Sequence, residues 1–131
     1  MRVLIVDDDY VSRVKLASFF NSLGQSDCAP RGDIAVSLFE EAHKELVPYD
    51  LVTVDIEMPG IHGQEVVDKM RQIERTLEIE ASNQVKILMV TAKTAIKEVS
   101  SSYNKGCDGY LTKPATPEEL RRSLKDLGVA T

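Results

Sequence analysis

The sequence predicts an α/β domain built on a doubly wound, five-stranded parallel sheet with helices on both faces. Two observations carry this. Short apolar runs rich in β-branched residues recur along the chain, and segments with helical spacing separate them. A third feature locates the chemistry: each of the four clearest runs leads directly into a polar residue able to do some.

Those four runs are Val3-Leu4-Ile5-Val6, Leu51-Val52-Thr53-Val54, Val85-Lys86-Ile87-Leu88-Met89-Val90 and the weaker Gly109-Tyr110-Leu111. The first three are nearly continuous, as in strands covered on both faces. Ser26 to Ala29 is poor by composition and is placed as the fifth strand by topology. Between the runs, Leu16, Phe19, Phe20 and Leu23 fall at i, i+3, i+4 and i+7, with Gly24 as a stop. Val36, Phe39 and Glu40 to Ala42 mark a second helix ending near Pro48, and Val66, Met70, Ile73 and Leu77 give a third stripe. Ile96, Val99 and Tyr103 suggest a fourth helix. The last is the best marked. Thr116-Pro117-Glu118-Glu119 reads as N-cap, first-position proline and capping-box Glu; Leu120, Leu124 and Leu127 face inward, and Gly128 ends it. The stretch from Arg71 to Gln84 is long and charged, so the third helix either runs past the sheet or ends in an exposed loop.

A chain of 131 residues suits a single domain with a real core. Its 43% apolar and 28% charged residues are the balance of a globular protein rather than a disordered one. With 16 basic against 21 acidic residues, a net charge of −5 gives no general attraction for nucleic acid, and no direct nucleic-acid contact is expected. No apolar stretch approaches a membrane span, and the N-terminus turns acidic at Asp7 before a signal-peptide core develops, so a cytoplasmic location is expected. Cys28 and Cys107 form no CxxC pair and read as small core residues rather than ligands or a disulfide.

In a parallel sheet all strand ends share one rim, where ligand sites of such folds form. Asp7 and Asp8 after the first run, Asp55 after the second, Thr91 after the third and Lys113 after the fourth are therefore expected in one pocket. Clustered carboxylates repel unless a cation sits among them, and oxygen-rich sites of this kind suit Mg²⁺. Lys113 adds a compact positive charge, Thr91 a hydroxyl donor, and an aspartate can itself act as nucleophile toward phosphorus. The set reads as phosphoryl transfer onto an aspartate.

Those residues lie within Leu4-Ile5-Val6-Asp7-Asp8-Asp9, Tyr49-Asp50-Leu51-Val52-Thr53-Val54-Asp55-Ile56-Glu57-Met58-Pro59-Gly60-Ile61-His62-Gly63, Met89-Val90-Thr91-Ala92 and Gly109-Tyr110-Leu111-Thr112-Lys113-Pro114. Over essentially its whole length the chain resembles the receiver domain of bacterial-type two-component response regulators. That resemblance implies a flavodoxin-like receiver fold, in a single receiver domain over residues 1–131 with no output domain. It implies Asp55 as phosphoacceptor, Asp8 and Asp55 as Mg²⁺ ligands, Asp7 holding the water shell, and the Glu57 backbone carbonyl completing the protein ligands. Lys113 would pair with the acceptor and then the phosphoryl group, Thr91 would swing toward it, and Tyr110 would move inward behind Thr91. The Lys113-Pro114 bond is cis in the family.

The implied donor is a sensor histidine kinase or histidine phosphotransfer protein, contacting the first helix and nearby loops. The readout would be a protein target on the face of the Ile96–Lys105 helix, the Gly109–Leu111 strand and the last helix. The protein would be a self-phosphorylating and autodephosphorylating switch rather than a turnover enzyme, monomeric or dimerising on phosphorylation.

Three other readings compete. A haloacid-dehalogenase-type phosphatase wants a second acid two residues after its nucleophile, followed by a threonine-like pattern, near the chain start; here Asp55 is followed by Glu57-Met58-Pro59 and the early Asp7-Asp8 are adjacent, so the match fails. A flavodoxin-like cofactor binder wants a Gly-, Ser- or Thr-rich loop after the first strand, where Asp7-Asp8-Asp9 would repel phosphate. A docking module that ignores phosphate is the third. Elsewhere, Asp9 reads as a helix-capping or solvated acid, His62 as an exposed imidazole, and Arg121, Arg122 and Lys125 as a solvated helix face. Glu57 either reaches toward Lys93 and screens the site from water, or both charges are simply solvated.

Overall fold

Strand β1 (Arg2–Val6) is flanked by β2 (Gln25–Ala29) and β3 (Leu51–Val54), and β4 (Lys86–Thr91) and β5 (Gly109–Thr112) complete the sheet in the order β2-β1-β3-β4-β5. Every pair is parallel. The computed structural model describes residues 1–92 and 106–129, so the Ile96, Val99 and Tyr103 stripe and Lys93 lie outside the described residues. Alternate side chains of the inner strands serve opposite faces. Leu4, Val6, Val52, Val54, Ile87 and Met89 pack against α2 (Gly32–Lys44) and α3 (Gly63–Thr76). Val3, Ile5, Leu51, Leu88 and Val90 pack against α1 (Tyr10–Asn21) and α4 (Pro117–Leu127). This is the doubly wound sheet anticipated, with a switch point where the chain leaves β1 in one direction for β2 and in the other for β3. Among the described residues, no helix is long and apolar enough to cross a membrane.

The helix ends follow their local chemistry. Asp9 caps α1 by accepting the Ser12 backbone N–H at 3.0 Å, as anticipated. Leu16 and Phe20 are buried, with Phe19 and Leu23 packed beside them. Gly24 sits where an added Cβ would lie 2.2 Å from the Met1 carbonyl oxygen, so any side chain would force β1 and the α1–β2 turn apart. On α4, Thr116 and Glu119 form the reciprocal capping box, and Gly128 ends the helix at φ 74°.

Several details depart from the sequence reading. Helix α2 stops at Lys44 rather than near Pro48, and Leu46 takes a left-handed φ of 61°. Its core face is Ala35, Phe39 and Ala42, with Val36 only partly buried. In α3 the stripe holds for Val66 and Met70, but Leu77 lies beyond the helix, 48% exposed, while Glu74 is wholly buried. An exposed turn with a short 3₁₀ segment (Ala81–Asn83) leads to β4, which settles the Arg71 to Gln84 question in favour of a loop. Strand β2 is an edge strand with mostly exposed or half-exposed side chains, so Cys28 is exposed whereas Cys107 is buried. Its place depends on backbone pairing with β1 rather than on apolar burial, which is why its sequence is poor. Arg121 is not simply solvated: its guanidinium lies 5.4 Å from the Phe19 ring centre, joining α4 to α1.

The Thr53 hydroxyl is buried in mid-sheet, in register with Ile5 and Leu88, and has no hydrogen-bond partner among the described residues. Thr53→Val, which keeps the β-branched shape, is expected to raise stability by about 1 kcal/mol. A higher urea midpoint at an unchanged slope is the measurement.

Candidate functional site

Parallel pairing sets Val6 beside Val54 and Val54 beside Met89, so the residues just beyond β1 and β3 emerge on one rim beside the end of β4. There Asp7 follows Val6, Asp55 follows Val54, Thr91 ends β4, and Lys113 follows Thr112 of β5. Asp7, Asp55 and Thr91 are buried, at 1%, 6% and 2% exposure, while Asp8 faces outward. Carboxylate oxygens of Asp7, Asp8 and Asp55 all lie within 4.8 Å of one another, a donor set of hard oxygens able to hold a divalent cation.

Lys113 binds the buried acids together. Its ammonium is 2.7 Å from Asp7 Oδ2 and 3.0 Å from Asp55 Oδ2. The other Asp55 oxygen, Oδ1, accepts from the Thr91 hydroxyl at 2.9 Å and from the Glu57 backbone N–H at 3.2 Å. Burial pushes the Asp7 carboxyl above its ordinary range, and the Lys113 ammonium and the Asp9 N–H only partly offset this. For Lys113, burial alone would depress the pKa, but its bonds to Asp7 and Asp55 outweigh it and raise the value. Asp9 is exposed, and the Ser12 hydroxyl and N–H it accepts hold its carboxyl below the usual range.

The pocket thus gathers Asp7, Asp8, Asp55, Thr91 and Lys113 as anticipated. Glu57 touches it through its backbone, and its side chain is exposed. Tyr110 is 47% exposed on β5 rather than drawn inward. The Lys113-Pro114 bond is cis. His62 is half-buried, not simply exposed: its Nδ1 caps α3 by accepting the Gln64 N–H at 3.3 Å.

Two contributors escaped the sequence reading. Arg13 donates from α1 to the Asp7 carbonyl at 2.9 Å and steadies the turn that presents Asp7 and Asp8. Its sequence signal, a basic residue one turn after the capping acid, is weak. Gly63 packs so closely that a Cβ would lie 2.3 Å from the Asp55 carbonyl oxygen, so α3 can begin directly against the strand end that carries Asp55. That glycine lay within the motif but had no role assigned.

The sequence matches the response regulator receiver domain family over residues 3–125. The chain belongs to that family. A protein of Porphyra purpurea described as probable transcriptional regulator ycf29 is 33% identical over 126 residues, covering 95% of this chain and 55% of that protein. Among solved structures, the receiver domain of the Saccharomyces cerevisiae response regulator Ssk1, co-crystallised with the histidine phosphotransfer protein Ypd1, superposes with a TM-score of 0.82 at 25% identity, covering 98% of this chain and 88% of that one. The receiver domain of the sensor histidine kinase PA1611 of Pseudomonas aeruginosa, solved with a magnesium ion in its active-site cleft, has a TM-score of 0.76 at 25% identity and 97% coverage of both chains. This receiver domain of two-component signalling spans about half the length of the curated relatives it matches. The acidic charge argues only about these residues, and a transcriptional regulator stands among the relatives.

The buried acid has a consequence for pH. Because the Asp7 pKa in the folded receiver exceeds the ordinary 3.8, the fold prefers the neutral carboxyl, and stability declines as pH rises from 3.8 through the raised value. Asp7→Asn is therefore expected to be more stable than the parent at pH 7, with the gap closing below 3.8. Thermal unfolding across pH, without divalent ions, measures it. Lys113 acts in the same direction at higher pH: its stabilisation is complete below the ordinary 10.5 and is lost as pH rises through the raised value.

Proposed function

We propose that this receiver domain is a Mg²⁺-dependent phosphoacceptor, taking a phosphoryl group from a partner's phosphohistidine onto Asp55. The supporting observation is the Asp55 carboxylate itself, which has Lys113 on one oxygen, Thr91 on the other, and Asp7 and Asp8 within reach. An Asp55 oxygen attacks phosphorus, the P–N bond of the donor breaks with its electron pair returning to the imidazole, and an acyl phosphate forms. Lys113 offsets the charge gathering on the transferred oxygens. The Thr91 hydroxyl, now on Asp55 Oδ1, transfers its hydrogen bond to a phosphoryl oxygen.

Asp8 and Asp55 would ligate Mg²⁺ with the Glu57 carbonyl, while Asp7 orders its water. The oxygen-only acid cluster, with Asp7 and Asp55 buried and Asp8 exposed beside them, and the raised Asp7 pKa fit such an ion. When bound, Mg²⁺ supplies charge neutralisation and orients phosphate oxygens.

Phosphorylation adds up to about two negative charges. That supplies the differential interaction a switch requires, drawing Thr91 and then the exposed Tyr110 inward. The donor is a sensor histidine kinase or histidine phosphotransfer protein, the latter being the partner of the yeast receiver in its co-crystal, and the output is a change in a protein-binding face.

Intact mass after incubation with phosphoramidate and Mg²⁺ is expected to rise by one phosphate for the parent chain and not for Asp55→Asn. Lys113→Ala should slow uptake about a hundredfold, and chelating the metal should abolish it. A phosphate gained by Asp55→Asn, or none gained by the parent, counts against the reading.

A further inference from the structure

At the opposite end of the sheet from the acidic pocket lies a second charged cluster, which the phosphoacceptor chemistry does not use. Glu74 of α3 is wholly buried. A carboxylate there is tolerable only if its oxygens are paired, and they are: Arg71 Nη1 donates to Oε1 at 2.7 Å and the Val85 N–H to Oε2 at 2.7 Å. Arg71 then reaches outward in three directions. It donates to the Val85 carbonyl at 2.9 Å, to the Gly106 carbonyl at 2.9 Å, and to Asp108 Oδ2 at 2.9 Å. The same Asp108 oxygen accepts the Ile87 N–H at 2.8 Å, while the Asp108 N–H donates to the Ile87 carbonyl at 2.8 Å. Gly106 has φ 107°, and a Cβ there would lie 3.2 Å from Arg71 Cγ, so glycine lets the chain pass over the arginine.

These bonds converge where β5 begins. Among the described residues, β5 is an edge strand pairing only with β4, and its residues are half-exposed or exposed. Apolar burial therefore does little to select its register. Asp108 does so explicitly, engaging both the N–H and the carbonyl of Ile87 one step before Leu88 pairs with Gly109. Lys113 emerges five residues later, about 16 Å along an extended strand. A slip of one residue would carry Lys113 about 3.3 Å along the sheet and turn its side chain to the other face. Its contacts of 2.7 and 3.0 Å with Asp7 and Asp55 could not survive that.

We propose that Arg71 and Asp108 are remote positioning residues: with Glu74 as their buried anchor, they lock β5 on β4 and thereby hold Lys113 against the two carboxylates. The inference rests on the reading of Lys113 as the cation serving Asp55. Arg71 suits the task because its planar fork fixes several acceptors at once, which a lysine cannot do. Charge-assisted bonds in a half-buried setting resist fraying better than a neutral ladder.

Phosphoryl uptake from phosphoramidate at saturating Mg²⁺ tests this. Asp108→Asn keeps the side chain's size and removes its charge. Uptake is expected to slow about tenfold, as for a small misplacement of a catalytic group. The Mg²⁺ concentration at half-saturation should not rise, and no slowing should appear when Lys113→Ala is already present. Arg71→Lys should behave like Asp108→Asn. Uptake by Asp108→Asn at the parent rate, or equal slowing in the Lys113→Ala background, overturns the proposal. Amide hydrogen exchange along the β4–β5 pairing is a readout free of phosphate. The Lys113 N–H, which bonds to the Thr91 carbonyl at 2.8 Å, should exchange faster in Asp108→Asn, and unchanged exchange contradicts the clasp. A parent chain that takes up no phosphate defeats the proposed function instead and leaves this exchange to decide.

Discussion

One ammonium group, Lys113 Nζ, spans two buried carboxylates from different strands, at 2.7 Å from Asp7 and 3.0 Å from Asp55. The rest of the pocket is arranged around that contact. Two buried acids side by side repel each other, and a cation between them makes their joint burial tolerable. The ammonium can sit there because β5 runs parallel to β4 and the Lys113 N–H bonds to the Thr91 carbonyl at 2.8 Å. Each strand thus contributes its chemistry at the same height, and the sheet register serves as the ruler of the site.

The charges remain unbalanced. Three carboxylates gather near one ammonium, and the Asp7 carboxyl is held above its ordinary range chiefly by burial, with the Asp55 charge adding to it. Such a pocket is less stable than an apolar one would be, a common cost where a site must bind or react rather than merely pack. Arg13 on the Asp7 carbonyl and Gly63 against the Asp55 carbonyl restrain the backbone so that the repulsion does not open the rim.

Charge is also placed at both ends of the sheet. The acidic rim lies beyond the strand ends, and the Arg71–Glu74–Asp108 cluster lies where β4 and β5 begin. Between them the strands present apolar side chains to both helical layers. The central strands are held by burial on two faces. The edge strands are held by pairing and by specific polar bonds, such as Asp108 for β5, while Arg2 ties Asp27 of β2 to the sheet at 3.2 Å.

How much of this was legible beforehand depended on whether the signal was local. The runs from Val3 to Val6, Leu51 to Val54 and Val85 to Val90 announced buried strands because both faces needed apolar residues. Thr116, Pro117, Glu119 and Gly128 announced α4 because caps act within a single turn. Asp7, Asp8, Asp55, Thr91 and Lys113 could be grouped because parallel strands leave their ends on one rim. Sequence alone therefore determined the fold class and the membership of the pocket. Only the tertiary structure decided that Glu74 is buried rather than solvated, that Cys28 is exposed, that His62 is a cap and that Arg13 and Gly63 support the rim. Those outcomes depend on how the assembled elements sit against one another: a residue's type limits what it can bond to, while the assembled neighbours select which bond it makes.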